Sequence, residues 1–403
     1  MNSDNNVSYN KKSVTDIDVK GKKVLLRCDF NVPIDKETGK IRDEGRIIGA
    51  LPTINYLLDN GASVIACSHF GRPKGEFKPE FSLAPVAESL SKHLGKTVLM
   101  SKDVIGKDAV RLAAGLKPGE IMLLENTRFH PEEEKNDPDF AKKLADLADI
   151  FVSDAFGSVH RAHASTEGVS HYLPAVSGFL LKKELDYIGG AISDPKRPLV
   201  AILGGAKVSD KLGVISNLIK ISDAIIIGGG MAYTFFKAEG GKIGNSLCED
   251  GEFESVLKCK EEAKERGVKL MLPVDSIAGS EFSNDVKPET YNSDAIPDGM
   301  MAMDIGPKAI ADFTKEISTA GTIVWNGPMG VFEFSNFAEG TRAVANAVAE
   351  SNAISIIGGG DSAAAVRKFG VEDKITHIST GGGASLEFME GKILPGIACL
   401  LDA

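Results

Sequence analysis

The 403-residue sequence predicts an α/β protein made of two doubly wound parallel-sheet units. Three observations carry that prediction. Short apolar runs with the length and composition of buried parallel strands recur along the whole chain. In the first half such runs empty into polar or basic exits, and in the second half four of them empty into paired or tripled glycines. The chain also exceeds the size at which one core usually stops growing, so two domains are expected.

Composition narrows the function classes. A formal charge of -10 argues against a general nucleic-acid binder but leaves a local basic cleft open. The five cysteines, Cys28, Cys67, Cys248, Cys259 and Cys399, are scattered without metal-ligand spacing, as free thiols in a reducing compartment would be. Met1 to Asp18 is polar and lacks an apolar core, so neither a secretory signal nor a membrane span is expected there, and a soluble cytosolic protein is the default. The first ten or so residues read as a frayed extension, with the fold beginning near Lys20.

In chain order, Val24 to Phe30 reads as a buried strand that exits through Asp29, Asn31 and Pro33. Arg46 to Asn60 reads as a helix, with Pro52 marking a bend or its true start. Val64 to Ser68 is a strand delivering His69, Gly71, Arg72 and Pro73, and Leu83 to Leu94 is a helix stopped by Gly95. Thr97 to Met100 is a short strand. Ile121 to Leu124 ends at Glu125, Asn126, Thr127, Arg128 and His130. After the charged helix Pro138 to Ala148, the strand Ile150 to Ser153 enters Asp154-Ala-Phe-Gly and then His160, Arg161 and His163. A doubly wound sheet gathers such exits on one edge, so Arg46, His69, Arg72, Arg128, His160, Arg161 and His163 are expected in one cationic patch. Phe179 to Ile188 reads as a helix ended or loosened by Gly189-Gly190, since a glycine inside a helix costs about 1 kcal/mol. With Pro195 and Pro198, that pair marks a connection between halves.

The second half opens with Leu199 to Lys211, an apolar run ending in Gly204-Gly205. A helix beginning near Lys207 would place Lys207 and Lys211 on one face beside free amides, an anion site in outline. Ala224 to Gly230, Ser355 to Asp361 and His377 to Gly383 repeat the strand-then-glycine design. Leu212 to Ser222, Glu254 to Gly267, Phe337 to Ser351 and Ser362 to Lys368 are expected helices. Lys269 to Pro273 and Thr322 to Trp325 are expected strands. The apolar tail from Leu394 is expected to pack rather than hang free.

Glycine loops let backbone amides reach phosphate oxygens, and lysines add point charge. No segment matches GxxxxGK[ST], and no GxGxxG with a distal acid follows the expected strand. A nucleotide site therefore rests on the combination of loops. Asp361, directly after Gly358-Gly359-Gly360, suits magnesium beside polyphosphate, and Ser362 suits a helix cap. His93, His130, His171 and His377 read as structural or surface residues, and Trp325 as core or near-pocket packing.

Seven ordered segments resemble the phosphoglycerate kinase family: RCDFNVP at Arg27 to Pro33, SHFGRP at Ser68 to Pro73, DAFGSVHRAHAS at Asp154 to Ser165, LGGAKVSDK at Leu203 to Lys211, WNGPMGVFE at Trp325 to Glu333, GGGDS at Gly358 to Ser362 and STGGGASLE at Ser379 to Glu387. The resemblance runs from about Val14 into the tail. It implies two Rossmann-like α/β/α sandwich domains joined by a hinge near Phe179 to Pro198. Residues 1–182 would bind 3-phosphoglycerate, residues 183–391 would bind nucleotide, and the tail, about 392–403, would pack back on the first domain.

The implied activity is reversible phosphoryl transfer between ATP and the carboxylate of 3-phosphoglycerate, giving ADP and 1,3-bisphosphoglycerate, with magnesium accompanying the nucleotide. By the same resemblance Asp29, Asn31, Arg46, His69, Arg72, Arg128 and Arg161 match the acid-substrate site, supported by His160 and His163. Lys207 and Lys211 match nucleotide-side lysines. Gly205, Gly229, Asn326, Pro328 and Glu333 match nucleotide contacts, and Gly358, Gly359, Gly360, Asp361 and Ser362 match the polyphosphate and magnesium loop, with Asp361 as metal ligand. Arg46, Lys207, Lys211, Gly360, Gly382 and Gly383 would act on the transferred group, Gly381 completing that amide-rich element. A monomer is expected, with no nucleic-acid or membrane partner. Ser153 stands where the family often has asparagine, and Ser362 where threonine is common. A NAD-linked oxidoreductase and a noncatalytic anion- or nucleic-acid-binding protein are the competing classes, and magnesium-dependent phosphate exchange separates the kinase from both.

Overall fold

A computed structural model describes residues 9–35 and 37–403. Most of the extension expected at the amino terminus lies outside the described residues. The fold begins earlier than Lys20, because its partner is the other end of the chain. Lys11 pairs with Asp402, its Nζ lying 2.7 Å from Asp402 Oδ1 and 3.1 Å from the Leu400 carbonyl. Ser13 and Asp16 then close a capping box over the short 3-10 turn Val14–Asp16.

Residue contacts divide the chain into a first unit, up to Asp186 together with Ile393–Ala403, and a second unit, Tyr187–Lys392. The first unit holds strands β1 (Lys23–Arg27), β2 (Ser63–Cys67), β3 (Val98–Met100), β4 (Ile121–Leu123), β5 (Ile150–Ser153) and β6 (Ala175–Ser177). They form one parallel sheet in the order β3-β4-β2-β1-β5-β6. Arg27 is level with Cys67 on one side and Ser153 on the other, so the exits of β1, β2 and β5 leave the sheet together. The apolar residues of these strands pack against the helices Gly45–Asp59 and Ala84–Leu94. Pro52 lies inside the first of these helices rather than at its start. The tail lies on this unit: the Gly396 amide donates to the Val159 carbonyl at 2.9 Å and the Leu401 amide to that of Ala175 at 3.0 Å.

The second unit holds β7 (Leu199–Leu203), β8 (Ala224–Ile227), β9 (Lys242–Ile243), β10 (Lys269–Met271), β11 (Asp275–Gly279), β12 (Glu289–Asn292), β13 (Ala295–Ile296), β14 (Met301–Ile305), β15 (Thr322–Asn326), β16 (Ile354–Gly358) and β17 (His377–Ile378). Its main sheet is parallel, in the order β10-β8-β7-β15-β16-β17. Asn326 is level with Leu203 and Gly358, which brings three glycine exits to one edge. The fold class is thus two parallel six-stranded α/β sheets. An antiparallel sheet, β12-β11-β14, and the pair β13-β9 are additions that the apolar runs do not reveal. Trp325 is fully buried and its Nε1 donates to the Gly327 carbonyl at 2.7 Å.

Of the two outcomes expected at Gly189-Gly190, an end or a loosening of the helix after Phe179, the helix takes the second. Leu185–Gly189 adopts a π-helical turn and Gly190–Ser193 continues it, with Gly189 itself at helical angles of φ -60 and ψ -45. That helix and two others begin with a cap taken from a distant strand or its exit. Asp154 Oδ1 accepts from the Leu180 and Leu181 amides at 2.9 and 3.1 Å. Asp275 accepts from the Lys308 and Ala309 amides at 3.1 and 2.8 Å, and Asp304 Oδ2 from the Gly340 amide at 2.8 Å. Each carboxylate presses against a glycine, Gly178, Gly306 and Gly340 in turn, where a Cβ would overlap it.

Candidate active site

In the first unit the exits of β1, β2, β4 and β5 assemble the expected basic cluster. Asn31 Oδ1 accepts from the Gly71 amide at 2.9 Å, which ties the loop after β1 to the loop after β2. Arg46, in the first turn of its helix, pairs with Asp29 at 2.7 Å. Arg128 is nearly buried; its Nη1 donates to the Gly71 carbonyl at 2.9 Å and its Nε lies 3.2 Å from Glu134 Oε1. Arg161 Nε donates to His160 Nε2 at 3.1 Å. Arg72 shares the loop of His69 and is exposed, with no hydrogen bond or ion pair among the described residues.

Burial and positive charge dominate the electrostatics of this cluster. Burial, and then the positive charges of Arg27, Arg128, Arg46 and Arg161, hold His69 well below the ordinary imidazole range. Burial followed by Arg128, Arg27, Arg161 and His160 lowers His163 to about 4. Both rings are therefore neutral at pH 7, and the arginines supply the charge.

In the second unit, Gly204, Gly229 and Pro328 meet backbone to backbone. A Cβ on Gly204 would overlap the Pro328 carbonyl, and one on Gly229 would lie 2.6 Å from the Gly205 oxygen. Their loops wall two adjoining cavities. One, of about 450 Å³, is mostly apolar and is lined by Gly229, Tyr233, Leu247, Phe282, Met303 and Glu333 among others. The other, of about 610 Å³, carries the lysines and loop amides, with Lys207, Lys211, Asn326, Gly359, Gly360 and Ser362 on its walls. Gly205, Ala206, Pro328 and Asp361 line both. An elongated ligand with one apolar and one anionic end matches that pairing.

Two expectations about this edge are corrected. The helix after β7 begins at Leu212, so Lys207 and Lys211 sit on the loop before it, not on one helical face. Glu249 holds that loop open by accepting from the Ser209 amide at 3.0 Å and hydroxyl at 2.6 Å. Lys207 is exposed and makes no hydrogen bond or ion pair among the described residues, whereas Lys211 is half-buried and bonded to Asn326 Oδ1. Burial lowers the Lys211 ammonium below its usual range. Ser362 does not cap its helix: that helix starts at Gly360 with Gly359 before it, and the fully buried Ser362 hydroxyl instead accepts from the Gly327 amide at 2.6 Å.

Gly358 is buried at the end of β16. Gly382 and Gly383 are exposed at the start of the helix Gly383–Met389, and a Cβ on either would meet nothing within 4 Å. Gly381 is buried, its amide donating to Ser379 Oγ at 3.1 Å. No group of three or more His, Cys, Asp or Glu side chains among the described residues could hold a metal by itself. No described helix is long and apolar enough to cross a membrane.

Comparison with known proteins decides the family. The phosphoglycerate kinase family model matches residues 14–392. The chain belongs to the phosphoglycerate kinase family. The phosphoglycerate kinase of Clostridium novyi is 58% identical over 98% of this chain and 100% of that protein, and that of Clostridium perfringens is 57% identical over the same shares. The solved structure of the Coxiella burnetii phosphoglycerate kinase superposes with a TM-score of 0.91 at 46% identity, covering 96% of this chain and 98% of that one. The Pyrococcus horikoshii enzyme gives 0.77 at 33% identity with the same coverage. The family reaction is reversible phosphoryl transfer between ATP and the carboxylate of 3-phosphoglycerate, a step of glycolysis, and this chain is an enzyme of that kind.

Within this phosphoglycerate kinase fold, sequence reading passed over several residues. Arg27 lies beneath the basic cluster, and an arginine inside the apolar run Val24 to Cys28 was the available signal. Leu247, Phe282 and Met303 wall the apolar cavity from segments that carry no glycine motif, and Tyr233 joins them from the helix that follows Gly228-Gly229-Gly230.

Proposed function

We propose that the basic cluster of the first unit binds 3-phosphoglycerate and that the paired cavities of the second bind ATP or ADP, the nucleoside end in the apolar cavity and the phosphates in the lysine-lined one. The observation that supports this most is the joining of an apolar cavity to a lysine- and amide-lined cavity through Gly205, Ala206, Pro328 and Asp361. Asp29, Asn31, Arg46, His69, Arg72, Arg128 and Arg161 hold the acid, with His160 and His163 in support. Forked guanidinium groups suit a substrate carrying both a phosphate and a carboxylate.

The acceptor carboxylate is ionised at neutral pH, so transfer needs no general base. The chain's task is alignment and neutralisation of charge on the migrating oxygens. Lys207 and Arg46 approach that group with exposed cationic ends, and the amides of Gly360, Gly382 and Gly383 add dipoles without reorganisation. Lys211, held by Asn326, contributes fixed positive charge to the phosphate cavity. Gly205, Gly229, Pro328 and Glu333 shape the nucleotide site, and Gly358, Gly359 and Ser362 set the loop around it.

Magnesium fits as a companion of the nucleotide: one carboxylate, Asp361, lines both cavities, and this ion commonly takes one or two carboxylates together with substrate phosphates and water. When bound, it would neutralise phosphate charge. Transfer requires acceptor and donor to meet away from water, so bending about residues 179–198 belongs to the proposal, as do a cytoplasmic location and a monomeric state. The test is a coupled assay with 3-phosphoglycerate and ATP, with and without magnesium. Magnesium-dependent formation of 1,3-bisphosphoglycerate supports the reading, and folded protein that binds both substrates without turnover refutes it.

A further inference from the structure

Arg27 closes β1 with 1% of its surface exposed, a full cation inside the first unit. Its Nε donates to Ser165 Oγ at 2.8 Å, one Nη donates to the Cys28 carbonyl, and the other lies 3.2 Å from His69 Nδ1. None of these partners carries the balancing charge. That charge is Glu133, itself fully buried, and it reaches Arg27 through a single hydroxyl. Ser165 Oγ donates to Glu133 Oε1 at 2.5 Å while accepting from Arg27, and the Ser165 amide donates to Oε2 at 3.0 Å. A guanidinium can only donate and a carboxylate can only accept, so the direction of every proton in this relay is set.

The same rule determines the state of His69. A guanidinium nitrogen offers no lone pair, so His69 Nδ1 must be the acceptor, and the ring proton resides on Nε2. The ring is neutral, because burial and the surrounding Arg27, Arg128, Arg46 and Arg161 all oppose a second proton. We infer that Arg27, held by Ser165 and Glu133, is a positioning residue that fixes His69 as a neutral Nε2–H donor for an anionic oxygen of the acceptor substrate. This rests on the reading of His69 as part of the acceptor site. With the opposite tautomer, Nε2 would present a lone pair to that oxygen, and the contact would turn from attractive to repulsive.

The experiment is two-bond 1H–15N spectroscopy of the intact protein labelled on histidine, with His69 assigned from its loss in His69→Gln, alongside steady-state kinetics. The wild type shows a neutral ring protonated on Nε2. Ser165→Ala and Arg27→Lys give a mixture of tautomers and raise the KM for 3-phosphoglycerate about tenfold while leaving that for ATP unchanged. Ser165→Thr, which keeps the hydroxyl, restores both readouts. A wild-type ring protonated on Nδ1 overturns the inference, as does a His69 spectrum unchanged in both Ser165→Ala and Arg27→Lys. A wild-type KM for 3-phosphoglycerate in His69→Gln overturns the acceptor-site reading, while the spectra decide the role of Arg27 separately.

Discussion

Replacing Lys207 by alanine tests the division between fold and chemistry most directly. Lys207 is exposed and makes no hydrogen bond or ion pair among the described residues, so the fold loses nothing that holds it together. Surface changes of this kind usually stay within about 0.5 kcal/mol of stability. A positive group that meets charge only as the phosphoryl group migrates should be worth about 2.7–4 kcal/mol, a fall of about 10²–10³ in turnover. The effect should fall on kcat far more than on the KM for ATP, because the contact strengthens in the transition state. Lys211→Ala is the contrast: Lys211 is half-buried against Asn326, so its loss should weaken nucleotide binding and loosen the β15 exit together. Coupled-assay kinetics and thermal unfolding of both variants separate the two cases. Turnover of Lys207→Ala within about threefold of wild type, with unchanged unfolding, would refute the assignment. A lowered unfolding midpoint would show that Lys207 has a structural partner.

Arg72→Ala should raise the KM for 3-phosphoglycerate at least about tenfold with little change for ATP, since Arg72 has no competing partner among the described residues; normal saturation by the acid contradicts this. Gly204→Ala should raise the nucleotide KM and lower stability by about 1–3 kcal/mol, because its methyl group would overlap the Pro328 carbonyl; calorimetry matching wild type counts against the close approach. Burial raises the Asp154 carboxyl to about 6 from an unfolded value near 3.8. The folded state therefore holds a proton that the unfolded chain has lost between about pH 4 and 6, and stability contributed below pH 4 disappears as pH rises through 6. Asp154→Asn keeps an acceptor oxygen for the helix amides, so its thermal midpoint should fall less than that of wild type across this window. Parallel profiles would discount Asp154 as the titrating group.

Apart from β6, which the reading passed over, the strands of the two main sheets were readable as short apolar runs, several with motif-bearing exits, and parallel register brings those exits together without further information. What escaped reading depends on partners far along the chain. Lys207 looked helical because its neighbours allow a helix; Ser209 is drawn to Glu249, 40 residues away, and the loop stays open to Leu212. Ser362 has the composition of a cap, but the Gly327 amide, 35 residues earlier, claims its hydroxyl. Gly189 and Gly190 left an end and a loosening equally open, and the helix loosens into a π turn. Strand β12 escaped because Glu289–Asn292 is polar and mostly exposed, with no buried alternation to read. Within the candidate site, the basic residues at strand exits were legible, whereas Arg27 required knowledge of Ser165 and Glu133.

The borrowed helix caps make certain pairs of positions a single unit of inheritance. Gly178 with Asp154, Gly306 with Asp275 and Gly340 with Asp304 are each a gap and the group that fills it, contributed by different stretches of chain. A side chain gained at the glycine expels the carboxylate, and a carboxylate lost from the strand strands the helix amides, so either change alone is harmful and neither repairs the other in one step. Such positions should drift far less than their burial implies. The helices they start, whose amides are claimed from 26, 34 and 36 residues away, cannot be transplanted to another protein without the strands that close them.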